Sequence, residues 1–198
     1  LIYECKAGGA PFNVACALKK LGVKTGFVGC VGQDQPGDFL EKVAKSRDFD
    51  FLNLKKIRSK NTTLAFVTID EMAERSFCFY RKNTADVCLP LIGARKLSTF
   101  DIVHIGSLML SEKRGFAYAK DLIKKAHSLG KIVSFDVNIR ADLFSDFDEM
   151  LALYREIIDG ADIVKFSEEE FSYFYGTNQE TRPDQLILVT YGEKGSEW

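Results

Sequence analysis

Short, nearly continuous apolar runs alternate along this sequence with longer stretches of helical period, and that alternation leaves few folds open. Residues 25–31 (TGFVGCV), 101–106 (DIVHIG), 131–136 (KIVSFD), 161–166 (ADIVKF) and 186–191 (LILVTY) read as strands buried on both faces. Between them, 13–21 and 36–47 have helical spacing, the second with Phe39, Leu40, Val43 and Ala44 on one side. Residues 112–129 place Phe116, Ala119, Leu122, Ile123, Ala126 and Leu129 on one helical face, with Gly130 as the stop. Repeated βα units of this kind predict an α/β fold: a mostly parallel central sheet sandwiched between helical layers.

One segment breaks the rhythm. Residues 63–70 (TLAFVTID) and 76–82 (SFCFYRK) flank the polar EMAER stretch with no helix between them, which predicts an antiparallel hairpin and a small β subdomain. Phe77, Phe79 and Arg81 alternate there with Cys78 and Tyr80, a pattern open to two readings: an ordinary edge hairpin, or a lid over a ligand. The stretch 46–62 is expected to be a mobile connection.

Composition narrows the function classes. With 198 residues the chain fits one globular domain, 1–198, and because it runs from Leu1 to Trp198 it is expected to lack residues at both ends. The 27 basic and 28 acidic residues are evenly spread, so nothing marks a nucleic-acid or anionic membrane surface. No apolar run approaches the roughly 18–20 residues of a membrane span, and no signal-like start is present. The five cysteines form no C-x-x-C pair, and they are expected to be reduced, buried thiols of a cytoplasmic protein.

Several motif classes fall away. No G-x-G-x-x-G occurs, so a dinucleotide site loses its main support. Gly32 and Gly37 have P-loop spacing, but Asp38 and Phe39 follow where Lys and Ser/Thr belong. The two histidines, His104 in a strand and His127 on a helix, build neither a zinc site nor a triad.

What remains is G-G-A-P-F-N at 8–13 and the loop G-Q-D-Q-P-G at 32–37. Gly8 and Gly9 let backbone amides approach a ligand, and Asn13 offers a donor and an acceptor suited to vicinal hydroxyls; the alternative is that Asn13 caps the helix. Asp34, at the end of the next strand, is placed to support the same pocket.

Five blocks in order, "GGAPFNVACALKKLGVKTGFVGCVGQDQPGDFL", "TTLAFVTIDEMAERSFCFYRK", "FDVNIR", "ADIVKFSEEE" and "LILVTYGEKG", resemble the ribokinase-like, or PfkB, carbohydrate kinases over nearly the whole chain. The G-G-A-P-x-N form is most similar to the fructokinase branch. The resemblance implies a ribokinase-like three-layer sandwich with a β lid, and ATP-dependent, Mg²⁺-assisted phosphorylation of a sugar, fructose to fructose 6-phosphate first. A 2-keto-3-deoxygluconate kinase and a non-catalytic sugar- or nucleotide-binding relative are the alternatives. It also implies a small-molecule sugar as the partner; the even charge excludes nucleic acid and membrane as partners, and the apolar hairpin invites a homodimer through lid pairing.

Residue by residue, the resemblance implies that Gly9, Ala10 and Asn13 touch the sugar, with Tyr80 and Arg81 reaching it from the lid. Arg81 reads otherwise as a surface arginine. Arg140 is implied to contact both sugar and phosphate and to stabilise charge on the transferring phosphoryl group, with Asn138 beside it facing the nucleotide. Ser167, Thr190, Gly192 and Gly195 are implied at the nucleotide, Ser167 standing where the family often has Asn. Glu170 is implied to orient Mg²⁺ through water, or else belongs to an acidic first turn that complements a helix dipole. Lys194 lies either near phosphates or in solvent. The family's base, an aspartate in a G-A-G-D segment, does not occur in these 198 residues.

Overall fold

The computed structural model describes residues 3–69, 75–176 and 181–198, and the chain divides into two units, Leu1–Leu91 and Ile92–Trp198. In the first unit, helix α1 (Ala10–Lys20) starts from Gly9, whose φ of 116° lies in the region that only glycine enters without strain. Pro11 sits in the first turn, where its missing N–H costs no hydrogen bond, so α1 begins three residues before the expected position 13. Strand β1 (Gly26–Gly32), helix α2 (Gln35–Lys45) and strand β2 (Phe51–Ile57) follow, with β1 and β2 parallel from Gly26 opposite Phe51 to Gly32 opposite Ile57.

Strand β2 corrects the expectation that 46–62 is a mobile connection. Asn53, Lys55 and Lys56 interrupt its apolar pattern, but the Lys56 ammonium is held by Asp38 and Glu41 of α2, so the strand carries a charge without leaving it unpartnered. Strands β3 (Leu64–Ile69) and β4 (Arg75–Tyr80) form the expected antiparallel hairpin, in register from Leu64 opposite Tyr80 to Ile69 opposite Arg75. Most of the predicted EMAER turn lies outside the described residues.

The second unit holds the one-turn helix α3 (Ala94–Leu97), β5 (Ile102–Gly106), α4 (Lys113–Ser128), β6 (Ile132–Asp136), α5 (Phe147–Asp159), β7 (Ile163–Ser167), α6 (Glu168–Tyr175), β8 (Leu186–Thr190) and β9 (Ser196–Glu197). Its sheet runs β5-β6-β7-β8-β9, the first four strands parallel and β9 antiparallel. Gly130, at φ 64°, ends the segment after α4 as its position predicts. One face of the sheet is apolar and buried: Val103, Ile105, Val133, Phe135, Val164 and Phe166 pack with Ala119 and Ile123 of α4, Met150 and Tyr154 of α5, and Phe174 of α6. Alternate residues on these strands, His104, Ser134, Asp136 and Lys165, project to the other face, following the period of two. There Lys165 Nζ lies 3.3 Å from Asp136 Oδ1.

The thiols divide. Cys30 and Cys88 are buried, and burial, reinforced by the neighbouring Cys88, pushes the Cys30 thiol up to about 11, an inert form at neutral pH. Cys5 and Cys78 are exposed, which corrects the expectation of buried cysteines throughout; Cys78 faces solvent because it lies on a two-stranded ribbon with little to cover it.

Candidate functional site

The first unit carries the G-G-A-P-F-N turn. Nothing lies within 4 Å of where a Cβ on Gly8 would stand, and its φ is ordinary, so neither packing nor backbone conformation within this unit requires glycine there. Asn13 is exposed in the first turn of α1; its backbone N–H bonds to the Gly9 carbonyl at 2.9 Å, and the N-cap is Gly9, which has no side chain to cap with. The capping alternative for Asn13 is therefore excluded. Together with Phe12, Cys16 and Lys20, Asn13 lines an open depression of about 230 Å³.

Asp34 is occupied differently from the expectation. Its Oδ1 accepts from the Gly37 N–H at 2.9 Å, capping α2, and from the Thr62 hydroxyl at 2.6 Å, while Oδ2 accepts the Thr62 N–H at 2.8 Å. The Thr62 hydroxyl in turn accepts from Gly32 N–H at 2.9 Å. Burial alone would raise the Asp34 pKa, but the two bonds from Thr62 and the one from Gly37 outweigh it and hold the carboxyl below its usual range. The loop glycines serve the same clamp: a Cβ on Gly37 would stand 2.1 Å from the Gly32 carbonyl, and one on Gly32 would stand 2.6 Å from the Thr62 nitrogen. Asp34 thus ties the β1–α2 loop to the chain before β3, a scaffolding role in the same unit as the G-G-A-P-F-N turn.

At the end of β4, Tyr80 is 62 % exposed, its ring edge-on to Phe66 with centroids 5.3 Å apart. The Arg81 side chain is only 7 % exposed and pairs with Asp86, Nη2 to Oδ2 at 2.6 Å and Nε to Oδ2 at 2.8 Å. Asp86 also accepts from the hydroxyls of Thr63 at 2.8 Å and Thr84 at 2.6 Å. Burial would raise the Asp86 pKa; the Thr84 bond, the Arg81 charge and the Thr63 bond prevail and lower it. Arg81 is neither the free fork nor the surface arginine anticipated: it pins the base of the hairpin. Asp86 and Thr62 escaped the sequence reading, although an acid five residues after the arginine, with Thr84 between, is a visible signal.

In the second unit, the expected nucleotide residues gather where β6, β7 and β8 end. Asn138, at φ 35°, adopts a conformation uncommon for a residue with a side chain, and the Ser107 hydroxyl donates to its carbonyl at 2.9 Å. Glu170 spans two segments: Oε1 accepts the Ile139 N–H and Oε2 the Ser167 N–H, both at 2.7 Å. The Ser167 hydroxyl accepts the Glu170 N–H at 3.2 Å, completing a capping box. Neither the metal role nor the dipole role anticipated this, yet Ser-x-x-Glu ahead of an apolar run is its sequence signature. Arg140 is half-buried, with Nη1 donating to the Ile139 carbonyl at 3.1 Å. Below it, Tyr154 is fully buried; burial pushes its phenol up, partly offset by the Ser107 hydroxyl and the Arg140 backbone.

The Thr190 hydroxyl donates to the Phe166 carbonyl at 3.2 Å, joining β8 to β7. Gly192 (φ 59°) and Gly195 (φ 97°) form an open turn in which a Cβ would meet nothing within 4 Å, closed by the Tyr191 N–H on the Gly195 carbonyl at 2.8 Å. This backbone fits close approach by a nucleotide. The two histidines are structural: His104 Nδ1 lies 3.1 Å from Ser134 Oγ, and burial lowers its pKa against the pull of Asp136, while His127 Nε2 lies 3.1 Å from the Asp162 carboxylate.

Among the described residues no three His, Cys, Asp or Glu side chains come together as a metal cage. Among the described residues no helix is long and apolar enough to cross a membrane.

The pfkB family carbohydrate kinase model matches residues 3–197. The fructokinase of Vibrio alginolyticus is 32 % identical over 196 residues, covering 95 % of this chain and 64 % of that protein. Fructokinase-2 of Solanum lycopersicum is 33 % identical over 199 residues, covering 95 % and 61 %. Among solved structures, an uncharacterized sugar kinase from Pyrococcus horikoshii superposes with a TM-score of 0.82 at 32 % identity, covering 96 % of this chain and 65 % of that one. The Vibrio cholerae fructokinase in its fructose, ADP and calcium ion bound form does so with a TM-score of 0.79 at 30 % identity, covering 96 % and 64 %. The chain spans a little over three fifths of the length of the fructokinases it matches.

Proposed function

Because the chain belongs to the pfkB family of carbohydrate kinases, we propose that the protein carrying it is an ATP-dependent sugar kinase that phosphorylates fructose to fructose 6-phosphate. The observation that carries the proposal from the structure is Asn13: polar, exposed and relieved of any capping duty, directly after a turn whose Gly8 the unit itself does not require. In this reading Gly9 and Ala10 approach the sugar through their backbone, Asn13 bonds its hydroxyls, and Tyr80 covers it from the hairpin. Asp34 and Arg81 act behind them by fixing the β1–α2 loop and the root of the hairpin.

On the second unit, Asn138, Ser167, Thr190 and the open turn at Gly192 and Gly195 receive the nucleotide, and Arg140 places its positive charge against the transferring phosphoryl group. ATP with Mg²⁺ supplies the phosphoryl group and neutralises its charge. Tying Arg140 to a well-braced loop keeps its planar donor fork in one place. The fructokinase names of the relatives and the fructose- and ADP-bound structure support this assignment. The family match through both units supports reading 1–198 as part of one ribokinase-like domain with the hairpin as its lid. Exposed Leu64, Val67, Phe77 and Tyr80 on β3 and β4 support a homodimer formed through that hairpin. Free cysteines suit a cytoplasmic setting.

The test is an ADP-release assay of the whole protein with MgATP on fructose, 2-keto-3-deoxygluconate, ribose, tagatose and adenosine. Fructose should give the highest kcat/KM. A higher value for the deoxy-keto acid would assign an arginine to its carboxylate and make the protein a 2-keto-3-deoxygluconate kinase, and no turnover of any sugar would leave a binding relative.

A further inference from the structure

We infer that Tyr154 of α5 is a positioning residue for Arg140: its hydroxyl, unbonded in this structure, takes up a bond to the loop 137–140 when Arg140 engages the transferring phosphoryl group. Only the phosphoryl group at Arg140 rests on the sugar-kinase reading. Tyr154 is fully buried, and its ring is fixed by Phe135, Phe144 and Phe174, with centroids 6.1, 6.0 and 6.5 Å away. Its hydroxyl oxygen is buried without a hydrogen-bond partner among the described residues. Buried polar groups nearly always have one, and phenylalanine would fill the same space without stranding an oxygen, so the hydroxyl calls for a reason.

The loop that carries Arg140 supplies it. The Ser107 hydroxyl and the Arg140 backbone stand beside the phenol oxygen, near enough to act on its proton yet outside bonding geometry. Ser107 is buried and gives its hydrogen to the Asn138 carbonyl at 2.9 Å, which leaves its oxygen to accept from Tyr154. The phenol oxygen can in turn accept from the Arg140 amide, so that Arg140, Tyr154, Ser107 and Asn138 form one chain in which every donor has an acceptor. At rest the loop holds without it. The Val137 N–H bonds to the Lys165 carbonyl at 3.0 Å, the Ile139 N–H to Glu170 Oε1 at 2.7 Å, and the Leu143 N–H to the Arg140 carbonyl at 3.1 Å. Arg140 Nη1 donates to the Ile139 carbonyl at 3.1 Å, and Arg140 has further contacts besides. Hydrogen bonds at reacting sites are often long or misaligned before the substrate is in place and tighten afterwards. A bond completed only as charge develops on the phosphoryl group lowers the barrier without tightening substrate binding.

The experiment compares the whole wild-type protein with Tyr154→Phe, Arg140→Ala and the double variant. With fructose and MgATP, Tyr154→Phe should lower kcat about three- to tenfold, the loss expected for one neutral hydrogen bond, with both KM values within about twofold and Tm unchanged or raised. In the Arg140→Ala background the same change should lower kcat by less than about 1.5-fold. In NMR spectra of protein labelled at tyrosine Cζ, the Tyr154 resonance, identified by its loss in Tyr154→Phe, should move on addition of MgADP with fluoroaluminate, a mimic of the transferring phosphoryl group, and stay in place in Arg140→Ala. Unchanged kcat or an unmoved resonance would leave the hydroxyl idle, a lowered Tm would mean that it is already bonded at rest, and equal losses in both backgrounds would uncouple it from Arg140; each overturns the inference. If the wild-type protein phosphorylates no sugar, the kinase reading fails on its own, and the resonance alone sustains or overturns the role of Tyr154.

Discussion

Replacing Thr62 by Val should destabilise the protein by about 2–4 kcal/mol while leaving sugar kinetics intact. Thr62 is 6 % exposed, and valine preserves its shape, so the change isolates the hydroxyl. That hydroxyl makes two bonds, donating to Asp34 Oδ1 at 2.6 Å and accepting from Gly32 N–H at 2.9 Å. Losing a bond to a charged acceptor costs about 1.5–3 kcal/mol, and stranding a buried N–H costs about 1–3 kcal/mol; the sum is trimmed because the loop can relax around Val. With a urea m-value of about 2 kcal/mol/M, the midpoint should drop by about 1–2 M. Asp34→Ala removes the same bond from the other side, together with the α2 cap, so the double variant should be less destabilised than the two singles summed, by at least about 1 kcal/mol. Sugar KM should stay within about twofold in all three, the margin expected of groups that touch only their own protein. A loss below about 1 kcal/mol for Thr62→Val would refute the clamp. So would an Asp34→Ala variant of normal stability and tenfold higher sugar KM, which would return Asp34 to the sugar.

Asn13→Ala should raise the sugar KM by roughly ten- to a hundredfold and the ATP KM little, with no change in Tm because Gly9 holds the cap position; a lowered Tm with unaltered kinetics would assign Asn13 to the helix. The depressed Asp86 pKa predicts acid sensitivity: a carboxylate more acidic folded than unfolded contributes its stability above its unfolded value of about 4 and loses it as pH falls through the folded one. Thermal melts between about pH 7 and pH 3 should therefore show a shallower acid decline in Asp86→Asn than in the wild-type protein, and parallel curves would discount the Arg81–Asp86 pair as a pH-dependent support.

The strands of the second unit were legible in the sequence because they are short apolar-rich runs set between helical stretches: Leu186–Thr190 is apolar nearly throughout, and in Ile132–Asp136 only Ser134 and Asp136, on the less buried face, are polar. Strand β2 was not, since its lysines disguise it and the acids that accommodate one of them lie on α2. The same distance hid the roles of the site residues. Asp34 meets Thr62, 28 residues on, and Glu170 meets Ile139, 31 residues back; no local pattern reports such pairs. Arg81 read as a ligand-binding fork because the aromatics beside it suggested a lid, and that reading passed over Asp86 five residues on, which with its two threonines closes over the guanidinium. By contrast, Ser167 and Glu170 stand at capping-box spacing, and that relation was open to a purely local reading.

The capping box also bears on which residues position 167 tolerates. Ser167 earns its place with a single oxygen that receives the Glu170 N–H, and asparagine offers an equivalent oxygen at the head of a helix. An asparagine at this position would therefore leave the start of α6 capped, so long as the glutamate three residues on is kept. What the start of α6 asks of this stretch is the pair, Ser167 with Glu170, more than either residue by itself.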